Sequence, residues 1–365
     1  MSTNLTQASR QWSSRPDDER FLSLEAMRNH FETIRSESQE KVIPSRRLHA
    51  LPTPDNEGMH IVDPDGRPYA PTHWSFGQVA QLAEAPAGYM RTMPSPIAAD
   101  CINYGLQYKR AIEDVGVLVR HNQADLLRAA TGPRYGRIWN DEVISALQGR
   151  FGDGVTGQWR VPGIFGVELS AVTKQNTTLF ASDRDMFVFL ADEKNRIEVP
   201  ARRNGQPGSL ARGFFVWNSE VGNKSFGVGT FLFDYVCCNR IVWGAQHYHE
   251  VRIRHTASAP DKFLEEMEPA LVAFSNASTR GITEAIEHAR AKRVSDTLDD
   301  FLAKRFGKRL VAPIKAMHEA EEGRPIETHW DIATAVTAYA RSIEHQDRRV
   351  ELERDAGKLL QLVAA

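Results

Sequence analysis

Residues Ser219 to Gly244 read SEVGNKSFGVGTFLFDYVCCNRIVWG. If Ser225 to Tyr235 is a strand, period-2 alternation places Ser225, Gly227, Gly229, Phe231, Phe233 and Tyr235 on one face, and Phe226, Val228, Thr230, Leu232 and Asp234 on the other. One face begins bare and ends aromatic. Glycine inside a strand costs stability unless another group comes close. Gly227 and Gly229 therefore predict close approach, by a helix lying against the sheet or by a nucleic-acid strand or other flat ligand. Cys237 and Cys238 point to opposite faces of an extended chain, which suits burial. A metal site joining either cysteine to His247 and His249 lacks a second ligand pair at a recognised spacing.

Outward from this stretch the pattern is the same from about Val115. GVLVRHN, DLLRAAT, TLFASD, MFVFLA, ARGFFVW and EVRIRHT are short, rich in β-branched or aromatic residues and separated by turn signals. One helix interrupts them, capped by Asn140 and carrying Val143, Ile144 and Leu147 on one side. The reading is α+β: a central antiparallel sheet with packed helices and a mostly helical C-terminal region. No strand runs into GxGxxG and there is no GxxxxGK[ST], so neither a dinucleotide fold nor a P-loop is expected.

Upstream, Phe21, Leu24, Met27, Phe31 and Ile34 recur at helical spacing, and a polar stretch with the turn signal Asp63-Pro64-Asp65-Gly66 follows. Ser75 with Gln78 has the form of a capping box, and Ser95-Pro96 opens another helix. Beyond Ala259, Phe263, Met267, Leu271 and Phe274 mark a helix, and Thr328 with Asp331 resembles an N-terminal cap. The last helix is charged with a thin apolar seam of Ile343, Val350, Leu359 and Leu360, suited to the body of the protein or to a sister subunit. Three regions result: 1–70, 71–258 and 259–365.

The 365 residues suffice for a sizeable core, and no apolar run approaches the roughly 20 residues that cross a bilayer. The first residues lack a basic start and an apolar core, and three cysteines make no disulfide framework, so a cytoplasmic protein is expected. Net charge is −2, which excludes capture of duplex DNA by a uniformly basic surface. Charge is nevertheless concentrated. Residues 201–255 hold seven Lys or Arg against three acids, and residues 101–140 hold six against three.

Aromatics interleave with these cations, and together they suit phosphates and unpaired bases. The candidate nucleic-acid contacts are Lys109, Arg110, Arg134, Tyr135, Arg137, Trp139, Lys224, Gly227, Gly229, Arg240, Trp243, Arg252 and Arg254. In a regular strand Arg252 and Arg254 share a face and form a phosphate rail. No Gly-x-Ser-x-Gly elbow, His-Glu-x-x-His or paired CxxC is present, and no cofactor motif. Asp183 with Asp185, and Asp299 with Asp300, are the acids a two-metal nuclease could use, although turns and solvated helices hold such pairs far more often.

Two segments carry a resemblance. RAATGPRYGRIWNDEVISAL, Arg128 to Leu147, and FFVWNSEVGNKSFGVGTFLFDYVCCNRIVWGA, Phe214 to Ala245, occur in that order about 80 residues apart, with Cys237 and Asn239 completing a Cys-x-Asn pattern. They resemble the phage/plasmid-like proteins called domain of unknown function 932, over about Phe21 to Arg290. The resemblance implies accessory genes of phages, prophages and conjugative plasmids, and supplies no catalytic residues. Mobile elements pass through single-stranded DNA, and their annealing proteins set an aromatic-basic groove on a curved sheet in an oligomeric ring. The expectation is therefore a non-catalytic, homo-oligomeric single-stranded DNA-binding or annealing protein without metal or cofactor. An anti-defence protein that contacts a host protein is the alternative, and a metal-dependent nuclease is third.

Overall fold

The computed structural model describes residues 17–108, 113–162, 172–200, 207–234, 240–242, 251–294, 297–343 and 346–364. The class is α+β, and the strands divide between two sheets. The smaller runs in the order β2 (Ser38–Pro44), β6 (Asp114–Arg120), β7 (Leu126–Thr131), β5 (Pro68–Pro71), β4 (Met59–Val62), β3 (His49–Pro52), antiparallel except for the β5–β7 pair. The larger runs β1 (Arg20–Phe21), β9 (Leu179–Ala181), β10 (Met186–Asp192), β12 (Gly208–Asn218), β13 (Phe226–Asp234), β14 (Arg240–Val242). Three short strands extend it: β8 (Trp159–Arg160) on β10, β11 (Ile197–Val199) on β12 and β15 (Val251–Ile253) on β13.

Helix α1 (Leu24–Ser36) buries Leu24, Met27, Phe31 and Ile34, the stripe its spacing predicts. Ser23 caps it, and Phe21, the first residue of that stripe, instead pairs as strand with Leu179. Helix α2 (His73–Leu82) starts from Thr72, whose side chain accepts from the Ser75 amide. The Ser75 hydroxyl, read from the sequence as the cap, donates to the Leu127 carbonyl 2.6 Å away. After the short α3 (Ala87–Met90), helix α4 (Ser95–Tyr108) begins at the expected serine, and with α2 it covers the smaller sheet through Ile61, Tyr69, Val79, Ile102, Val117 and Leu127.

The two faces of β13 part as the alternation predicts. Phe226 and Val228 join a core with β10 and β12, closed by α1, by α5 (Asn140–Phe151) and by α6 (Ala259–Asn276), the last burying Phe263, Met267, Leu271 and Phe274. Phe231 and Phe233 join an aromatic cluster on the opposite face, with Phe180, Phe187, Phe189, Phe215 and Trp217. Leu232 enters a third core beneath the C-terminal helices α7 (Arg280–Ala291), α8 (Leu298–Phe306), α9 (Val311–Glu322), α10 (His329–Ala340) and α11 (Gln346–Ala364). A Thr328–Asp331 capping box opens α10, as its sequence predicts. Among the described side chains the seam of α11 is Leu352, Ala356, Leu359 and Leu360, packed against the body of the chain; Ile343 precedes the helix, and the Val350 side chain lies outside those described. Among the described residues no helix is long and apolar enough to cross a membrane.

Candidate nucleic-acid interface

The groove nearest to the predicted chemistry lies on the aromatic face of the larger sheet. In the β12–β13 register Gly213 pairs with Phe231, Phe215 with Gly229 and Trp217 with Gly227. Each glycine sits under the ring opposite it. A Cβ would stand 2.1 Å from the Trp217 ring at Gly227, 2.7 Å from Phe215 at Gly229 and 2.3 Å from Phe231 at Gly213. The close approach read from Gly227 and Gly229 is real, but what approaches is the neighbouring strand's own rings, not a helix or a ligand. The glycines act by letting the rings lie flat. Phe215 stacks on Phe189 at 5.3 Å and on Trp217 at 5.2 Å, giving a continuous aromatic floor.

At one end of this floor is a groove of about 400 Å³ between the sheet and α11. Phe187, Phe215 and Trp217 line its base, Lys224 and Arg252 one part of its wall, and Glu351 and Arg354 of α11 another. Arg252 is carried there by β15, where it pairs with Gly227. Lys224 extends from the turn before β13, with Nζ 5.2 Å from the Phe187 ring centre and 4.0 Å from Asp185. A groove with flat rings below and ammonium and guanidinium groups at its sides is suited to an aromatic base bearing a phosphate.

Four of the sequence candidates thus meet: Lys224 and Arg252 in the wall, Gly227 and Gly229 beneath the floor. Arg254 is exposed one residue past the end of β15, so the regular strand on which a rail with Arg252 depends has already finished. Arg240 contributes backbone to β14 opposite Phe233. Lys109, Arg110 and Trp243 lie outside the described residues, as do Cys237, Cys238, His247 and His249. Phe187, Phe215, Glu351 and Arg354 were not among the candidates, nor was Trp217. The alternation in MFVFLA and GFFVW signals the first two, while nothing local to Glu351 or Arg354 signals a fold-back from more than 100 residues away.

The remaining candidates serve a different structure. Arg137 is buried, its Nε donating to Glu40 at 2.7 Å, and its guanidinium lies 5.2 Å from the Tyr135 ring and 5.6 Å from the Trp139 ring. Arg35 covers Trp139 as well, at 5.0 Å. The Tyr135 hydroxyl donates to the Ser219 carbonyl at 2.8 Å, and burial raises its pKa well above the usual phenol range. Its ring stacks on His255 at 4.8 Å, and His255, bonded through Nδ1 to the Gly136 carbonyl, is held below its ordinary pKa first by burial. Stacking by Tyr135 and Trp139, and charge on Arg137, are thus used inside the protein. Of this group Arg134 alone is exposed, on a separate cleft of about 900 Å³ that Tyr135 and His255 also line.

What these residues build is a junction. Glu220 is buried and accepts from Arg128 of β7 at 2.7 Å and from the Asn140 amide at 2.8 Å, so it, and not the Asn140 side chain, caps α5. Asn218 donates to the Ile138 carbonyl and to Asn140 Oδ1, each at 2.8 Å. The Val221 carbonyl accepts from Trp74 and Gln78 of α2. The two segments that carried the family resemblance are bonded to each other, and through them the two sheets are joined.

Three of the four acids considered for a nuclease are also engaged, Asp183 with its neighbour Arg184. Asp185 closes the β9–β10 turn with Ser182 and accepts from Asn223, while Asp299 pairs with Lys315. Among the described residues no group of three or more His, Cys, Asp or Glu could hold a metal ion.

Fold and groove together define an α+β protein with an aromatic-basic groove beneath a C-terminal helical region. The family model Domain of unknown function (DUF932) matches residues 165–360, more than half of the chain, and the chain belongs to that family. The match holds Phe214–Ala245 and reaches into α11, but begins after Arg128–Leu147. No curated protein and no solved structure matches the chain.

Proposed function

We propose that this protein binds single-stranded DNA without catalysis, seating a base on the Phe187–Phe215–Trp217 floor and its phosphates against Lys224, Arg252 and Arg354. The supporting observation is the meeting of three rings and three cations from five separate parts of the chain in one groove. The volume suits about one nucleotide. The test is fluorescence anisotropy of a labelled oligothymidylate across a salt series, beside the same label in duplex. Single-strand binding is expected to be the tighter. The combined Lys224→Gln, Arg252→Gln, Arg354→Gln variant is expected to lower the salt slope by about 2, at roughly 0.7 for each phosphate no longer neutralised. An unchanged slope, or no binding by the wild type at low salt, overturns the reading.

One observation favours a protein partner as the second reading. Ile97, Cys101, Tyr104 and Tyr108 form an exposed stripe along α4, with Tyr104 57% and Tyr108 75% accessible. Co-purification of a host protein that Tyr104→Ser plus Tyr108→Ser releases, with no affinity for DNA, would support it.

A further inference from the structure

A second pocket lies in the N-terminal part of the chain, outside the family match and apart from the aromatic groove. It measures about 410 Å³ and opens between β4, β5, α2 and the α3–α4 connection. Met59, Met90, Met93 and Phe76 supply an apolar wall, and Arg91 reaches into it. Methionine is flexible and polarisable, so a wall with three of them adapts to apolar bodies of irregular shape.

Arg91 sets the chemistry. Its guanidinium lies 4.9 Å from the Phe76 ring centre, and Nη2 donates to the His73 carbonyl at 2.7 Å. Nε and Nη1 bond to nothing among the described residues, and no carboxylate there pairs with the group. Burial lowers its pKa with no neighbouring anion to offset the effect. His73 beside it is held below its ordinary pKa by burial and then by the charges of Arg91 and Arg184, so it adds no positive charge at neutral pH. Glu57 and His60 also line the pocket, and Glu57 is engaged elsewhere. A partly desolvated guanidinium is costly to leave without a counter-charge. It lies against a ring and presents unused donors at Nε and Nη1, each able to make a charge-assisted hydrogen bond to an acid group.

We propose that this pocket binds a small amphipathic anion, its apolar or aromatic body against Met59, Met90, Met93 and Phe76 and its acid head on the Arg91 guanidinium. The site is independent of the DNA reading, since it shares no residue with that groove.

The probe is 8-anilinonaphthalene-1-sulfonate, compared with its uncharged relative N-phenyl-1-naphthylamine by fluorescence titration of the full chain. Arg91→Met is expected to weaken sulfonate binding about tenfold or more, the step that 1.4 kcal/mol represents, while the neutral probe binds as before. Met93→Trp, which fills the pocket from a half-buried position, is expected to weaken both probes, and Arg91→Lys to retain most of the sulfonate affinity. Thermal melts establish that each variant is folded. Should Arg91→Met fail to fold, Arg91→Lys and Met93→Trp decide. The proposal is overturned if folded wild type binds no sulfonate, if Arg91→Met binds it as well as wild type, or if Met93→Trp leaves both probes unaffected.

Discussion

Glu220 is one carboxylate with two obligations: it neutralises buried Arg128 and satisfies the first amide of α5. Removing one partner of a buried pair leaves an uncompensated charge, which costs more than the pair contributes. Glu220→Ala is accordingly expected to lose about 3 to 5 kcal/mol in urea unfolding, and Glu220→Gln less, because the amide oxygen can still accept from Asn140. The glycines under the rings make a second case. Gly229→Ala forces a methyl against Phe215 and is expected to cost about 1 to 3 kcal/mol. In a Phe215→Ala background the same change should cost much less, and a double-mutant cycle measures the difference. Additive effects would mean that the ring is not what requires the glycine. From the sequence one could read which face of β13 these glycines occupy. Their partner could not be read, because it is fixed by the β12–β13 register, which depends on pairing across a turn and not on either strand alone. Arg137 misled for a similar reason: a cation between two aromatics looks the same in sequence whether it faces solvent or Glu40.

At the level of elements, the clearest signals in the sequence were those of period. The stripe of α6 came out residue for residue and that of α1 from Leu24 onward, and the strand alternation of β13 matched its two faces. Starting points were less legible. Thr72 and Ser75 both precede an apolar run, and which one caps is decided by the Leu127 carbonyl, which takes the Ser75 hydroxyl. The cap of α10 is local and was legible: Thr328 accepts from the Asp331 amide and Asp331 accepts from the Glu327 and Thr328 amides. Arg324 adds two bonds to Asp331, which overcome the effect of burial and hold that carboxyl below its usual range. Thr328→Ala should therefore cost about 1 kcal/mol. Asp331→Ala should cost clearly more, since it removes the guanidinium's partner and both amide acceptors at once. Chemical unfolding of the two variants side by side checks the order, and an equal loss would reduce the site to an ordinary cap.

Across the whole molecule, the titrating groups predict an acid response in two stages. His30, His73 and His255 are all held below their ordinary value of about 6.5, burial being the first cause in each. The unfolded chain takes up these protons first, so their contribution is complete above about pH 6.5 and is lost as pH falls from there towards the lowered folded values. Asp125 is also shifted down, by Arg67 and then His121, to about 2, and its contribution fades only as pH falls below about 4 towards that value. Urea midpoints from pH 8 to pH 3 should therefore begin to drop near pH 6.5, and His30→Gln should flatten that upper limb. A midpoint flat down to pH 5 would contradict this. Composition and residue patterning had limited the chain to an α+β protein of ordinary size, but they held no sign of the two-sheet plan. That plan rests on contacts such as Arg128–Glu220, 92 residues apart.

The same long reach governs the order in which the protein can be made. Helix α1 has an apolar stripe that packs on α5 and reaches the larger sheet at β9, and the Phe21 carbonyl waits for the Thr177 hydroxyl 156 residues later. At a synthesis rate of about 5 to 20 residues per second, that interval is roughly 8 to 30 seconds. The smaller sheet can close during it, because all its strands lie before Gly132. Leu24, Met27, Phe31 and Ile34 can meet α5 in that time but not the larger sheet, so the nascent chain displays a half-covered helix pair beside an already folded sheet until β9 to β12 emerge.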